Sequence, residues 1–315
     1  MKSELKNKSL DSTKMKDIPT AEDFYSTGKE LLNFSWDVVA ELMVSIHDYE
    51  MYYNEELEES TEYWAAAKRR LSTALSTTQQ GIEFILKGKI VEISPYLLIV
   101  DPPNKWPSPY KSDLSFTDFR TIDAQDLVKV NDTFSKNQFS AEFINQFHSM
   151  REKRNKIIHS VDKKLVVNVI DVIRSILFMH KELFPQEAWT QVRLNHLENE
   201  PHIFLGSIDY VRSRICKEVG VVIDLLIPSE VKKYFKIDKK QKSYQCPDCY
   251  SETPNHGEKT KLAVLTPKGQ NSKTLYCPVC DKTYEVIREE CKSEYCSENV
   301  LDQEGHCLSC IVPEL

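Results

Sequence analysis

Two groups of residues in this 315-residue chain have types and spacings that can do chemistry. The first is Arg154, Asn155 and His159, in the run REKRNKIIH. A histidine, with an unperturbed pKa near ~6.5, can give or take a proton at neutral pH. An arginine presents a planar fork of donors suited to a phosphate, and an asparagine beside them can orient either one. The second group is cysteine. Cys246 with Cys249, and Cys277 with Cys280, are two C-x2-C knuckles separated by 27 residues, with strand-like KLAVLT and TLY between them and TYEVI after them. Two such knuckles converge four thiolates on one tetrahedral Zn²⁺ at ~2.3 Å and leave no open position, which makes the site structural. Cys291, Cys296, Cys307 and Cys310 follow as C-x4-C and C-x2-C and can close a second site, Gly305 allowing the turn into the last knuckle. Swapped pairing between the sites, or His256 or His306 in place of a cysteine, stays open. Cys216 stands apart and reads as a buried core residue.

The elements that must position these groups are helices. The positions Phe24, Leu31, Leu32, Trp36, Val39, Leu42, Met43 and Ile46 recur with a helical period, and a second long run passes through Leu71, Leu75, Ile82, Ile85 and Leu86. Pro95, Pro102, Pro103, Pro107 and Pro109 then impose an extended loop. Thr121 or Asp123 can cap a helix through Leu127, Val130 and Phe134, and Ser140 can start another that runs to His159. Leu165 to Phe184 reads as a central helix, and further helices are expected over residues 201–217 and 219–235 before the basic hinge KIDKKQK. On the Ser140–His159 helix, Phe143, Phe147, Met150, Arg154 and Ile157 form the core stripe, so Arg154 stands where a leucine is expected. Asn155 and His159 stack on one face, and Arg154 points about 140° away from His159, from ~100° per residue. A long guanidinium arm or a second copy of the helix must close that gap. Arg and His near a helix end also suit the C-terminal dipole, and REKRNK also reads as a solvated face.

Composition narrows the function. The chain holds 48 acidic and 41 basic residues, which excludes a general coat for nucleic acid or membrane. Residues 61–160 nevertheless carry 14 basic against 11 acidic side chains, with Arg151, Lys153, Arg154 and Lys156 together, which predicts a small basic cleft. From residue 241 onward the balance is 8 basic to 12 acidic, so the cysteine module suits a protein contact or a rigidifying role better than a grip on phosphates. No apolar run is long enough for a span of ~20 residues, and MKSELKNKSLDSTKMKD lacks an apolar signal core. A reducing, cytoplasmic setting is expected. The domain reading is a disordered polar tail over residues 1–20, a helical domain over 21–240, a zinc ribbon over 241–290 and a second four-cysteine segment over 291–315.

The run Arg154, Asn155, Lys156, Ile157, Ile158, His159 resembles the R-x(4–6)-H signature of the HEPN superfamily, and the resemblance extends upstream through GIEFILKGKIVEISPYLL and RTIDAQDLVKVND. The cysteine module resembles a zinc ribbon. The resemblance implies an all-α HEPN-like bundle followed by a small β-rich zinc module. It also implies a metal-independent endoribonuclease of a stress or anti-phage defence type, whose site forms from two copies of the motif in a homodimer. His159 would move the proton as the RNA 2′-hydroxyl attacks the adjacent phosphate, Arg154 would hold the phosphate and Asn155 would orient. His148, Arg151 and Lys156 would widen the RNA-binding strip, on spacing alone. A regulatory protein or nucleic-acid trigger would meet the zinc module. The alternative is a HEPN-like module that binds nucleotide or RNA without cutting it, with the ribbon as adaptor. Glu83 and Lys87 match a family tendency but read better as an i,i+4 salt bridge. Val161 stands where one toxin branch has a modified tyrosine, so that regulation is not expected here.

Overall fold

The structure, a computed structural model, describes residues 15–53, 61–107, 114–159, 166–205, 211–253, 260–269 and 271–310. It is mostly helical. Among the described residues the helices are α1 (Ala21–Tyr53), α2 (Thr61–Ile93), α3 (Ala124–Phe134), α4 (Ala141–His159), α5 (Val169–Leu183), α6 (Trp189–Glu198), α7 (Val211–Leu225), α8 (Pro228–Phe235) and the short α9 (Pro247–Ser251). Four short strands, β1 (Ser243–Tyr244), β2 (Ala263–Leu265), β3 (Thr274–Cys277) and β4 (Lys282–Glu285), form one antiparallel sheet in the order β1-β2-β3-β4. A helical body with a small β-rich, cysteine-bearing C-terminus is the coarse architecture the sequence predicts. No described helix is long and apolar enough to cross a membrane. Val161 and His256 lie outside the described residues.

The chain divides into two compact units, residues 1–31 with 79–153 and residues 32–78 with 154–315. In the first unit, α1 and α2 approach closely because glycine removes a side chain at each contact. A Cβ on Gly28 would lie 2.5 Å from Ile85 Cγ1 and 2.7 Å from the Gly81 carbonyl, and one on Gly88 would lie 2.5 Å from the Tyr25 ring. Ile82, Ile85, Leu86 and Ile90 are buried there, with Leu127 of α3 and Phe143, Phe147 and Met150 of α4. Phe139 stacks on Phe143 at 4.3 Å, and each fully buried ring contributes about 1.5–3 kcal/mol relative to exposure. The proline-rich loop forms 3₁₀ turns over Pro95–Leu98 and Pro103–Lys105, and an antiparallel bridge joins Ile99 to Thr121. Residues 15–20, read from sequence as part of the polar tail, are held in place. Lys16 N–H donates to the Leu114 carbonyl at 2.7 Å, Phe116 N–H donates back to Lys16 at 2.9 Å, and Thr20 and Asp23 cap α1 reciprocally. The expected Glu83–Lys87 bridge does not form. Lys87 Nζ instead donates to Thr121 Oγ1 at 3.1 Å, while Glu83 accepts from Gln79 at 3.4 Å. Burial holds the Lys87 ammonium below its ordinary pKa, against the opposing pull of Glu83 and Asp123.

The second unit joins the far parts of α1 and α2 to everything after residue 153. Ser35 Oγ donates to the Ala74 carbonyl at 2.9 Å, and Tyr63 OH to the Leu42 carbonyl at 2.9 Å. α5 buries Val172, Ile173, Ile176, Leu177, Met179 and Leu183, as its apolar run requires. Two helix boundaries differ from the sequence expectation. The run expected over 201–217 is a 3₁₀ turn at Pro201–Leu205 followed by α7 from Val211. The run expected over 219–235 breaks between Leu225 and Pro228, because Pro228 lacks the N–H that would continue α7 and instead takes the first position of α8.

Within this unit lies a buried ion network. Arg193 of α6 is 1% exposed and donates from Nε and Nη2 to the two oxygens of Glu218 at 2.9 Å each, from Nη1 to Asn33 at 3.3 Å, and from Nη2 to Asp37. Arg214 donates from Nε to Glu218 at 3.0 Å, from Nη2 to Asp37 at 2.6 Å and from Nη1 to Glu200 at 3.1 Å, while Trp36 Nε1 donates to Glu218 at 3.0 Å. Asp37, His196 and Glu200 approach closely enough to hold an ion, yet both carboxylates are already held by guanidinium groups.

Candidate functional site

The knuckles come together as their spacing requires. Cys246 lies just before α9 and Cys249 within it, while Cys277 ends β3 and Cys280 follows in the turn to β4. All four are buried. Four sulfurs at ~2.3 Å from one tetrahedral ion stand about 3.8 Å apart, whereas a disulfide needs ~2.05 Å. The separations are 3.6 Å for Cys246–Cys280, 3.9 Å for Cys249–Cys277 and 3.4 Å for Cys249–Cys280. Cys291, Cys296, Cys307 and Cys310 form a second set, with 3.6 Å between Cys291 and Cys310 and 3.8 Å between Cys296 and Cys307. Both sets have the dimensions of a four-sulfur metal centre, and neither swaps members with the other. The His306 ring turns away to Asp302 at 3.0 Å. Neighbouring sulfurs first, and burial after them, push Cys249 and Cys277 up, while hydrogen bonds from those neighbours lower Cys246 and Cys280. A divalent ion held by these four sulfurs would favour their deprotonated form.

The second set is more open, since Cys291, Cys296 and Cys310 are only partly buried. Its chain segment is stitched to the sheet: Gln245 N–H donates to the Leu308 carbonyl at 2.8 Å, and Ile287 and Leu301 exchange hydrogen bonds at 2.9 and 3.0 Å.

Four residues that support the first set are not evident from its motif. Thr190 Oγ1 of α6 donates to the Pro278 carbonyl at 2.7 Å, and Gln191 Nε2 to the Val279 carbonyl at 2.8 Å, so two side chains of one helix hold the second knuckle. Arg212 of α7 donates from Nη1 to Cys280 Sγ at 3.4 Å and from Nε to Glu252 at 2.6 Å. Burial opposes its charge, but Glu252 and the Cys280 and Cys249 sulfurs together raise its pKa further. Cys216, one helical turn on, is buried as expected, and its side chain also acts on the Cys249 sulfur. The i,i+4 spacing of Arg212 and Cys216 is the one sequence signal that could have drawn attention to them.

The R-x4-H run occupies the end of α4. Phe143, Phe147 and Met150 are buried, and the stripe opens to solvent beyond them: Arg154 and Ile157 are half-buried, while Asn155, Lys156, Ile158 and His159 are exposed. The guanidinium of Arg154 reaches Asn155 Oδ1 at 3.2 Å. It therefore departs from the direction of a core leucine toward the Asn155 face. Among the described residues the His159 ring has no hydrogen-bond partner. Lys156 lies beside Asn155, half-buried Arg151 leaves its Nε without a partner, and the His148 ring lies 5.8 Å from that of Phe147.

Comparison with family models, with curated proteins and with solved structures yields no match to this chain.

Proposed function

We propose that this protein is a metal-independent endoribonuclease of the HEPN type, acting on RNA in stress or anti-phage defence, with two structural zinc ions in its C-terminal module. The observation that carries the reading is the last turn of α4, where Asn155 and His159 are exposed and Arg154 extends to Asn155. In the proposed reaction the 2′-hydroxyl oxygen of RNA attacks the adjacent phosphorus and the bond to the 5′-oxygen breaks. A 2′,3′-cyclic phosphate and a 5′-hydroxyl are left. His159 transfers the proton and Arg154 neutralises the five-coordinate phosphate, with Asn155 as the orienting group. Two copies of the helix in a homodimer supply paired motifs, and His148, Arg151 and Lys156 extend the basic strip. The eight cysteines favour zinc, because two closed tetrahedral sets of thiolates suit that ion. The acidic zinc module serves a protein partner or a trigger.

A specific observation supports a second reading, a module that binds nucleotide or RNA without cutting it: within one copy no described group orients the His159 ring. One experiment separates the two. Purified protein is incubated with single-stranded RNA in the presence of chelator, and the ends of the products are mapped. Cyclic-phosphate ends that vanish in His159→Ala support the nuclease. Equal cutting by the variant refutes the site, and binding without cutting selects the second reading.

A further inference from the structure

Outside the α4 turn, a nearly enclosed cation lies on the face that α7 turns toward the first four-cysteine set. Arg212 sits there with its side chain only 11% exposed, held from two sides. One nitrogen faces the Cys280 sulfur at 3.4 Å, and another is fixed by Glu252 at 2.6 Å. Cys216, four residues further along the helix, is buried. A guanidinium is costly to bury without an anion, and four thiolates around one divalent ion carry a net charge of about −2. The two costs offset each other at this contact. Among the described residues no guanidinium donates to the second set: the backbone N–H of Ser293 reaches Cys291 at 3.5 Å, exposed Lys242 acts on Cys296 through its charge, and three of the four cysteines are only partly buried.

We infer that Arg212 is a positioning residue of the first metal centre, which neutralises and orients the Cys280 thiolate so that this centre holds its ion against exchange while the second centre gives its ion up readily. The inference rests on the zinc reading of the cysteines, and it adds to that reading a ranking of the two centres and a residue responsible for it. An N–H donated to a ligating sulfur lowers that sulfur's tendency to take up a proton or an incoming electrophile, which is how a thiolate leaves a metal. Glu252 fixes the orientation. Lysine keeps the charge but loses the fork that spans sulfur and carboxylate.

The test is zinc release from the full-length protein into a chromogenic chelator, followed by absorbance. Wild type should release one equivalent quickly and one slowly, and Cys307→Ser should lose the fast equivalent alone. Arg212→Gln should accelerate the slow phase by about 10–100-fold, the range known for outer-shell partners of metal ligands, and Arg212→Lys should fall between. If Arg212→Gln does not fold, Glu252→Gln serves in its place. That change leaves the charge of Arg212 but frees its orientation, and it should accelerate the slow phase by a smaller factor. A single release phase for both equivalents overturns the inference, as does a slow phase unchanged in Arg212→Gln, or in Glu252→Gln where that variant is the one tested. Protein that carries no zinc at all overturns the metal reading beneath it, a failure distinguishable from these by the metal content alone.

Discussion

The buried ion network gives the sharpest test of how the second unit is held together. Arg193→Met keeps much of the aliphatic stem and removes the guanidinium. Glu218, itself 3% exposed, then loses two charge-assisted hydrogen bonds of 2.9 Å and keeps only those from Trp36 and Arg214, at 3.0 Å each. Asp37 and Asn33 each lose a donor as well. Removing one partner of a buried pair leaves the other charge uncompensated, which costs about 3–5 kcal/mol. For a unit of this size each kcal/mol shifts Tm by about 2–4 °C, so a fall of roughly 6–20 °C is expected. Thermal melts followed by circular dichroism in zinc-replete buffer measure it. The double variant Arg193→Met with Glu218→Gln should recover a substantial part of the loss, because the stranded charge is gone. A fall under ~2 °C for the single variant, or a double variant no better than the single, would show that the network does not carry this stability.

Other outcomes follow from the same geometry. Gly28→Ala should destabilise the first unit by about 1–3 kcal/mol in urea titration, since the added methyl meets the Gly81 carbonyl, which no rotamer change can move. Cys277→Ser should lower zinc content from two equivalents to one and loosen the sheet, read by metal analysis and by proteolysis within residues 243–285. Asp37 is held below the ordinary carboxylate range: burial acts to raise it, but His196, Arg193 and Arg214 together outweigh that. A carboxylate depressed on folding stabilises above its unfolded pKa of about 3.9 and loses that contribution as pH falls through the folded value. Stability in denaturant should therefore be flat near neutrality on account of Asp37 and fall below about pH 4, and Asp37→Asn should flatten that acid limb.

Much of the fold was legible because its signals are local. Phe143, Phe147 and Met150 recur at helical spacing and are buried, and the cysteine knuckles group as their spacing demands. The boundaries that shifted did so where one backbone feature outweighs apolar periodicity. Pro228 cannot donate to the carbonyl four residues back, so an apolar run that looks continuous from Val219 becomes two helices. Residues 15–20 look structureless from composition, since backbone bonds between Lys16 and residues 114 and 116 span about a hundred residues and leave no local trace.

The parts of the candidate sites that were not legible share a cause. Arg193, Arg212 and Arg214 are charged residues on helices, which sequence patterns assign to solvent, yet all three are engaged by carboxylates and two of them are nearly enclosed. Their partners lie far along the chain: Asp37 is 156 residues from Arg193, and Cys280 is 68 residues from Arg212. Nothing in a residue's own neighbourhood distinguishes such an arginine from a surface one. Arg154 is the converse case. Its place in an apolar stripe marked it from sequence alone, and in the structure its side chain leaves that stripe for Asn155. The stripe has already opened to solvent at that turn, so the guanidinium stays hydrated and its position costs little. An arginine on a core stripe is therefore informative where the stripe ends, and under the proposed function it is the exposed turn of α4, rather than its buried start, that would meet a phosphate.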